Sequence, residues 1–406
     1  MTDLATAFNP LDPSFHAVAE SSLDQAHAVP VFFAPAVDAW VVSRYADVDA
    51  VLKDTTNFSS RDVMSITDLL SPEVAEYFGD FIPMEGSLIG VDEPAHARLR
   101  RVLSPAFTPA RVSALGPSMQ RTVDTILDGV ASDGAVDLQS ALSFPLAITT
   151  ITRLIGIPDD ETAEFRHAVE SWEELAISYI SGYSIERQME LARPVMALHT
   201  RVNELLEERR RSPQSDLLSD IVAGEAPDQL TPREMLSLVP GLFLAGYRTT
   251  ADALGLGMYH LLTHREHYEQ LVADPARAPA FVEEMVRLDG PVFGIWRHVI
   301  HDTAIGDVIV PQGSKLYVSY WGANLDSARY ALSQSFNPNR DHARLHLAFG
   351  RGIHACIGAP LARLELSIAL ESLARRFPNL DFAPGFTPEW VPNFFLRGMR
   401  ELRLVW

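Results

Sequence analysis

The residues with the greatest chemical potential lie near the carboxyl end of the chain, between His346 and Gly358. This stretch contains Cys356, the only cysteine among 406 residues, so internal disulfides, four-cysteine iron–sulfur sites and cysteine-rich zinc sites are excluded. Three glycines let the backbone approach a flat ligand, and the apolar helix predicted after Cys356 favours a thiolate at its start. One thiolate can hold one iron, so Cys356 is a candidate iron ligand. The alternative interpretation is that Cys356 is a buried structural cysteine.

Six positions here match the pattern Phe-Gly-x-Gly-x-His-x-Cys-x-Gly, which resembles the heme-binding loop of the cytochrome P-450 family, the heme-thiolate monooxygenases. The resemblance implies a cytochrome P-450 fold, mainly α with small β-sheets (α+β), with a long central helix, a heme-thiolate loop and heme b. Cys356 would then be the axial ligand that pushes electron density onto the iron. The matching positions are Phe349, Gly350, Gly352, His354, Cys356 and Gly358, and the resemblance implies that all of them except Gly352 contact the heme.

A helix is predicted to open at Asp92-Glu93-Pro94, with acids before a proline in the first turn. His96 and Arg100 follow four residues apart and therefore share one face of this helix. A solvated basic face is the ordinary explanation of such a pair. The match to the family's His-x-x-x-Arg implies instead that both bind a heme propionate, and similar matches imply the same role for Arg297 and His354.

The long central helix is predicted from Thr231-Pro232-Arg233-Glu234, a capping box with proline at the first helical position, to about Leu262. Near its middle, Ala245 and Gly246 are small enough for a large planar group to lie against them. This part resembles the oxygen-binding groove of the family, which normally reads Ala-Gly-x-acid-Thr.

The same groove supplies the catalytic candidates Arg248, Thr249 and Thr250. The resemblance implies that Thr249 helps to deliver protons to dioxygen. Arg248 replaces the usual acid, which puts the usual proton route in question. Because an unpaired buried cation is costly, we expect Arg248 to pair with Glu173 or Glu174, while snorkelling to solvent is the alternative.

The segment from Pro279 to Leu288 is predicted to be a helix that carries Glu284 and Arg287 on one face. Such a pair is usually solvated. Its separation from Cys356 along the sequence, however, resembles that of the structural ion pair of the family. The family usually adds an arginine where this chain has Ser335. Either Arg340 substitutes for that arginine or the triad is only a pair.

Substrate contacts follow from the resemblance alone. Between Phe58 and Ile89 the apolar residues show neither helical nor strand periodicity. This pattern indicates either a loop that acts as a substrate lid or an ordinary small cluster beside the main core. Aromatic residues farther along the chain lie where the family places the pocket, although such spacing is more often plain core. The candidates are Phe81, Met84, Trp172, Tyr179, Leu242, Ala245, Phe293, Ile295 and Phe395.

The composition sets the remaining limits. A formal charge of −20 and the lack of a basic stripe argue against a nucleic-acid binder. No apolar run of signal-peptide or membrane length occurs in the first thirty residues, so we expect a cytoplasmic protein without a membrane partner. We predict one heme domain over residues 1–406, with an N-terminal extension over 1–27, and a monomer of the soluble bacterial type.

The predicted function is that of an oxidoreductase, a monooxygenase that inserts one oxygen atom of O2 into a small or medium apolar molecule by hydroxylation or O-dealkylation. The chain has no Gly-rich nucleotide loop, flavin domain or four-cysteine cluster, so a separate ferredoxin or flavodoxin with its reductase must supply electrons. Such a partner is expected to dock where arginines offer positive charge against an acidic protein. The candidate docking residues are Arg98, Arg101, Arg351 and Arg363.

Three alternatives remain open at the level of sequence. A peroxide-driven peroxygenase is suggested by the arginine beside the oxygen site, although peroxygenases of the family follow that arginine with proline and this chain has Thr249. A non-catalytic heme-binding sensor is disfavoured by the same threonine and by the aromatic-lined pocket. A Cys–His hydrolase is weaker still, because His354 and Cys356 are too close in sequence for the usual base geometry.

Overall fold

The structure is a computed structural model that describes residues 24, 26–61, 63, 70–79, 81, 86–176, 182–224, 228–391 and 396–406. The chain is mainly helical with small sheets, as predicted. The helices are α1 (Tyr45–Lys53), α2 (Pro72–Phe78), α3 (Ala95–Leu103), α4 (Pro109–Val130), α5 (Phe144–Ile155), α6 (Thr162–Ala176), α7 (Ile185–Arg211), α8 (Leu217–Val222), α9 (Pro232–Thr263), α10 (Arg265–Ala273), α11 (Ala278–Asp289), α12 (Tyr320–Asn324) and α13 (Ala359–Arg376). The strands are β1 (Val31–Ala34), β2 (Ala39–Val42), β3 (Phe58–Ser59), β4 (Ala135–Asp137), β5 (Gly294–Val299), β6 (Thr303–Ile305), β7 (Val308–Val310), β8 (Lys315–Ser319), β9 (Asp381–Phe382) and β10 (Arg403–Val405).

The chain divides into two compact units. We call residues 1–59, 113–146 and 249–406 the sheet unit, and residues 60–112 and 147–248 the helical unit. The prediction of one heme domain over residues 1–406 stays a prediction, which rests on the family resemblance.

The largest sheet has the strand order β1-β2-β8-β5-β3 and lies in the sheet unit. Strands β2 and β8 run parallel, and the other neighbours run antiparallel. On β5, Ile295 lies opposite Val318 and Arg297 lies opposite Leu316. This register fixes the direction of the buried Arg297 side chain, because alternate residues of a strand point to opposite faces. Two further sheets, β4-β10-β9 and β6-β7, complete the unit.

The core of the sheet unit contains apolar residues of α4, α11, α13 and the second half of α9, such as Leu127, Phe281, Met258 and Leu370. Helix α13 buries residues around most of its surface. Helices α9 and α11 approach very closely, since a Cβ on Gly257 would lie 1.6 Å from the methyl carbon of Met285.

The capping box predicted for the central helix is present. The Thr231 amide donates to Glu234 Oε2 at 2.8 Å, and the Glu234 amide donates to Thr231 Oγ1 at 3.2 Å. The helix ends at Thr263, one residue beyond the predicted end.

In the helical unit, α6 packs against α7, and α7 also contacts α2 and α8. The prediction that the segment from Phe58 to Ile89 lacks regular structure is partly wrong, because the segment contains β3 and α2. Helix α2 has Pro72 in its first turn, and the Ser71 amide before it donates to Gln188 Oε1 on α7 at 3.1 Å. This tertiary anchor stabilises a helix too short to be recognised from its periodicity.

Candidate functional site

The loop that carries Cys356 is held in one conformation by its own backbone. The Cys356 amide donates to the Phe349 carbonyl oxygen at 2.8 Å, and the Ala355 amide donates to the Gly352 carbonyl oxygen at 3.2 Å. Gly358 then forms the N-cap of α13. The Cys356 side chain is exposed, so a soft sulfur ligand is presented at the start of a helix.

Two glycines of this loop are required by geometry. Gly350 and Gly352 have φ values of +66° and +70°, in the left-handed region. A Cβ on Gly352 would lie 2.3 Å from the Leu52 carbonyl oxygen, which leaves no room for any side chain. The loop therefore packs directly on the end of α1.

A charge cluster around Glu283 supports the loop and was missed by sequence reasoning. Glu283 accepts from Arg363 Nε at 2.7 Å and is 3.0 Å from His346 Nε2. Although burial opposes the charged form, hydrogen bonds from His346 and Arg363 lower the pKa of Glu283 to about 2. The Arg363 guanidinium also lies 4.4 Å from the Phe349 ring centroid. Glu283 thus joins α11, α13 and the loop, and its only sequence signal is its position beside Glu284.

Glu284, Arg287 and Arg340 form a buried triad, so Arg340 substitutes for the arginine that Ser335 replaces. Arg287 Nη2 donates to Glu284 Oε1 at 2.7 Å, and Arg340 Nε donates to the same oxygen at 3.1 Å. Arg287 Nη1 also donates to the Asn324 carbonyl oxygen at 2.8 Å. The pair predicted on one helix face is therefore structural and fully buried.

Tyr320 is a second residue near the loop that no sequence motif indicated. A Cβ on Gly350 would lie 3.2 Å from the Tyr320 hydroxyl oxygen, which places this hydroxyl against the loop. Burial and the nearby Cys356 raise the pKa of Tyr320 to about 12, against an opposing effect of Arg297. Arg297 is buried in β5, where Nη1 donates to the Trp296 carbonyl oxygen at 2.8 Å. Electrostatically, the structure brings Tyr320, Arg297 and Cys356 together.

The other predicted propionate ligands belong to different units. His354 ends the short 3-10 turn of the loop and is half-buried. His96 and Arg100 lie on α3 in the helical unit, where His96 is buried with Nδ1 3.6 Å from Glu93 Oε1. Burial lowers the pKa of His96, against the opposing effect of Glu93.

The middle of α9 shows which groove residues are accessible. Ala245 is exposed, although Phe243 and Tyr247 on either side are buried. Gly246 packs closely on α5, because a Cβ on it would lie 2.7 Å from Ile151 Cδ1. Its lack of a side chain allows this helix packing. Thr249 is half-buried, and Thr250 is buried.

Arg248 forms the reversed ion pair that the sequence predicted. Arg248 Nη1 lies 3.8 Å from Glu173 Oε2 on α6, and the two side chains are 18% and 20% exposed. The snorkelling alternative is therefore wrong. Glu174 is engaged elsewhere, by Arg187 Nη2 at 2.8 Å. The neighbouring Tyr247 hydroxyl donates to Glu170 Oε1 at 2.8 Å, so α6 and α9 share two polar contacts side by side.

Most of the predicted substrate contacts that the structure describes are buried. Phe81 lies against His199 with ring centroids 3.8 Å apart, and Trp172 meets Phe78 edge-on at 6.4 Å. Phe293 belongs to a core cluster with Trp321, and Ile295 is buried in β5. Leu242 is half-buried on α9. Three candidates, Met84, Tyr179 and Phe395, lie outside the described residues.

The four arginines expected to offer positive charge are all compensated by carboxylates. Their partners within each unit are Glu234 for Arg98, Asp228 for Arg101, Asp49 for Arg351 and Glu283 for Arg363. The expected basic docking charge is therefore largely neutralised at these positions. Across the described part of the chain, no helix combines the length and apolar character needed to cross a membrane.

A loop that presents one thiolate, on a mainly helical fold with small sheets, defines the class of heme-thiolate proteins. The structure's own features fit a heme, because the exposed soft ligand follows a glycine-shaped turn and a buried arginine lies nearby. Comparison with known proteins then names the family. The description "Cytochrome P450" belongs to the family model that matches residues 27–392, and the chain belongs to that family. It is a P450 enzyme with heme b as its cofactor.

Individual relatives support the same placement over nearly the whole chain. Cytochrome P450 107B1 of Saccharopolyspora erythraea is 34% identical over 374 residues, which cover 90% of this chain and 89% of the relative. The cytochrome P450 monooxygenase PikC of Streptomyces venezuelae is 34% identical over 384 residues, which cover 91% of this chain and 85% of the relative. The solved structure of P450BioI, in complex with an acyl carrier protein that carries hexadec-9Z-enoic acid, has a TM-score of 0.86 at 28% identity. The match covers 97% of this chain and 99% of that chain.

Proposed function

We propose that this P450 inserts one O2-derived oxygen atom into a small or medium apolar organic substrate, by hydroxylation or O-dealkylation. The observation that carries the proposal is the Cys356 loop, which combines an exposed thiol with the hydrogen bond from Cys356 to Phe349 and two left-handed glycines. Bound heme supplies the oxidising chemistry, and the thiolate donates electron density to the iron.

The remaining cofactor contacts come from charged and small residues. His96, Arg100, Arg297 and His354 bind the heme carboxylates by charge-assisted hydrogen bonds, which offsets the cost of burying those negative charges. Buried Arg297 is the strongest candidate, because its charge also acts on Tyr320 beside the loop. Phe349, Gly350, Gly358 and Ala245 supply the apolar contacts. Gly246, which follows Ala245 on α9, is a further contact of this kind.

Proton supply rests on Thr249, assisted by Thr250 and ordered water. The Arg248 side chain is permanently protonated, so it can orient water but cannot pass protons as a carboxylate does. Its ion pair with Glu173 is the support for this assignment, since the pair holds the guanidinium toward α6.

Electrons come from a separate ferredoxin or flavodoxin with its reductase, and the protein acts as a cytoplasmic monomer. P450BioI was solved with a substrate-bearing acyl carrier protein. For this chain the substrate is a free apolar molecule, and a carrier-bound acyl chain is an outcome that the test can reveal.

The test has two stages. Titration of the purified heme protein with a panel of apolar ligands identifies compounds that displace the iron-bound water, seen in the ultraviolet-visible spectrum. Turnover of such a compound with ferredoxin, reductase and isotopically labelled O2 is expected to place one labelled oxygen atom in the product. Unlabelled product, or turnover that only hydrogen peroxide supports, would contradict the proposal and favour a peroxygenase.

A further inference from the structure

Tyr320 carries a hydroxyl group that the described part of the chain does not engage. The residue is 6% exposed, yet no hydrogen bond joins its hydroxyl to another residue of the described ranges. A phenol that is almost wholly removed from water normally has a hydrogen-bond partner, because an unsatisfied hydroxyl is costly. The hydroxyl of Tyr320 therefore points to a bound group as its partner.

The sheet sets the direction of the Tyr320 side chain. Tyr320 is the first residue of α12 and comes directly after β8. The register pairs Leu316 and Val318 of β8 with Arg297 and Ile295 of β5. Residues paired in this way share a face of the sheet, and the same face recurs at every second residue. Tyr320, two residues after Val318, therefore leaves the strand on the face that carries Arg297.

The hydroxyl end of the ring lies against the thiolate loop. A Cβ on Gly350 would lie 3.2 Å from Tyr320 Oη and 3.6 Å from the His354 carbonyl oxygen, so these two oxygens flank the same point of the loop. His354 and Arg297 are both assigned to heme carboxylates in the proposed function. The Tyr320 hydroxyl thus lies among the residues of the sheet unit that are assigned to those carboxylates.

The charges around the hydroxyl indicate the kind of partner. Burial raises the pKa of Tyr320 to about 12, the positive charge of Arg297 opposes this rise, and Cys356 adds to it. The phenol is therefore protonated at neutral pH and can donate a hydrogen bond. Arg297 is 3% exposed, and a buried guanidinium is stabilised by an anion. A phenol and a guanidinium near each other offer two donors to one carboxylate, and such charge-assisted hydrogen bonds are strong.

We propose that the Tyr320 hydroxyl donates a hydrogen bond to the heme carboxylate that Arg297 binds. The proposal rests on the proposed function, because the contact of Arg297 with that carboxylate belongs to it. The hydrogen bond holds the cofactor in the site and stabilises negative charge on the carboxylate. It thereby weakens the preference of the iron for its more positive, oxidised state, so Tyr320 raises the reduction potential of the heme.

Transfer of heme from the oxidised holoenzyme to an excess of apomyoglobin tests retention without turnover. Tyr320→Phe keeps the ring and removes only the hydroxyl, so we expect heme to dissociate about tenfold faster, as the loss of one hydrogen bond to a charged group predicts. Tyr317→Phe is the matched control, because Tyr317 is also buried and its ring packs on Trp296 at 5.0 Å. The control should leave the dissociation rate unchanged.

Potentiometric titration of the same proteins gives a second readout. The reduction potential should fall in Tyr320→Phe and stay the same in Tyr317→Phe. Reconstitution with heme dimethyl ester removes the carboxylate charges, so both differences between Tyr320→Phe and the wild type should then largely disappear. A hydroxyl that acts only on the protein structure would give the same differences with either cofactor, and that result would overturn the proposal.

Equal heme dissociation and equal potential in Tyr320→Phe and the wild type would also overturn the proposal. Arg297→Leu shows which assignment fails. If Arg297→Leu releases heme quickly while Tyr320→Phe does not, the proposal for Tyr320 fails alone. If Arg297→Leu retains heme as the wild type does, the carboxylate contact in the proposed function fails and the proposal for Tyr320 fails with it.

Discussion

At the scale of single residues, the reversed pair of Arg248 and Glu173 is the feature in which this site differs from the family pattern. Each side chain is about one-fifth exposed, so the charges are partly desolvated and interact more strongly than a surface pair. An arginine that keeps its proton stabilises the pair but cannot exchange protons with water. Proton delivery is therefore expected to be less efficient than with a carboxylate at position 248.

The double variant Arg248→Asp with Glu173→Arg tests this expectation, since it keeps an ion pair but restores an acid on α9. We expect it to release less hydrogen peroxide per reducing equivalent, by about twofold or more, because a carboxylate can relay protons. Peroxide and product are measured in the same turnover assay. Glu174→Gln is the matched control, because Glu174 binds Arg187 instead. Equal coupling in the double variant and the wild type, at equal heme content, would remove Arg248 from proton delivery.

At the scale of elements, the thiolate loop depends on supports from α1, α11 and α13. The Gly352 contact with Leu52 fixes the loop on α1, and Glu283 binds side chains from the loop and from α13. The adjacent Glu284 fixes the loop around residues 331–335 through its two arginines. Two neighbouring acids of one helix thus position both segments.

Gly352→Ala should damage the loop without touching the ligand. The added methyl meets a backbone oxygen that cannot move aside, and φ is +70°, so we expect a loss of about 2–4 kcal/mol in unfolding free energy and weaker heme retention. Gly313→Ala is the control, because φ there is +81° and nothing lies near the added atom. It should cost about 1 kcal/mol. Equal losses in the two variants, measured by urea unfolding, would show that the Leu52 contact is unimportant.

Removal of Glu284 should be the more severe change at the triad. Glu284→Ala leaves Arg287 buried without a counter-charge, which typically costs about 3–5 kcal/mol. Arg340→Ala keeps the pair of Glu284 with Arg287 and should cost about 1–3 kcal/mol through lost hydrogen bonds to carbonyls. Arg375→Ala, in an exposed pair with Glu371, should change stability by less than about 0.5 kcal/mol. A Glu284→Ala protein as stable as Arg375→Ala would disprove the structural role of the triad.

These elements also show what the sequence could reveal. The capping box of Thr231 and Glu234 lies within one turn, so it predicted the start of α9 correctly. Helix α2 was missed because its stability comes from the contact with α7. The packing of Gly246 on Ile151 could not be predicted, because the two residues lie far apart in the sequence. Glu283 and Tyr320 belong to no motif and acquire their meaning only from tertiary contacts.

At the scale of the whole molecule, buried histidines make stability depend on pH. Burial, followed by the positive charges of His264, His267, Arg287 and Arg397, lowers the pKa of His260 to about 3 from 6.5. The unfolded chain therefore binds more protons than the native state between these values, and stability falls as the pH drops below 6.5. Glu283, with its pKa near 2, adds a loss that begins only below pH 4.5.

Between pH 7.5 and pH 5.5 we expect His260 to account for a loss of about 1 kcal/mol in unfolding free energy. His260→Gln removes the proton-binding group, so the urea midpoint should fall less across this interval than in the wild type. His301→Gln is the control, because His301 is exposed. The same fall in the wild type and in His260→Gln would exclude His260 as a source of the pH dependence.

The central claim is that the thiolate of Cys356 ligates the heme iron, and the spectrum of the reduced carbon monoxide complex tests it most directly. Cys356 is the only cysteine of the chain, so no other sulfur ligand of its kind can replace it. We predict an absorption maximum at about 450 nm for the wild type, the signature of thiolate ligation, and its loss in Cys356→Ser. A wild-type protein without this maximum, or a Cys356→Ser variant that keeps it, would contradict the assignment.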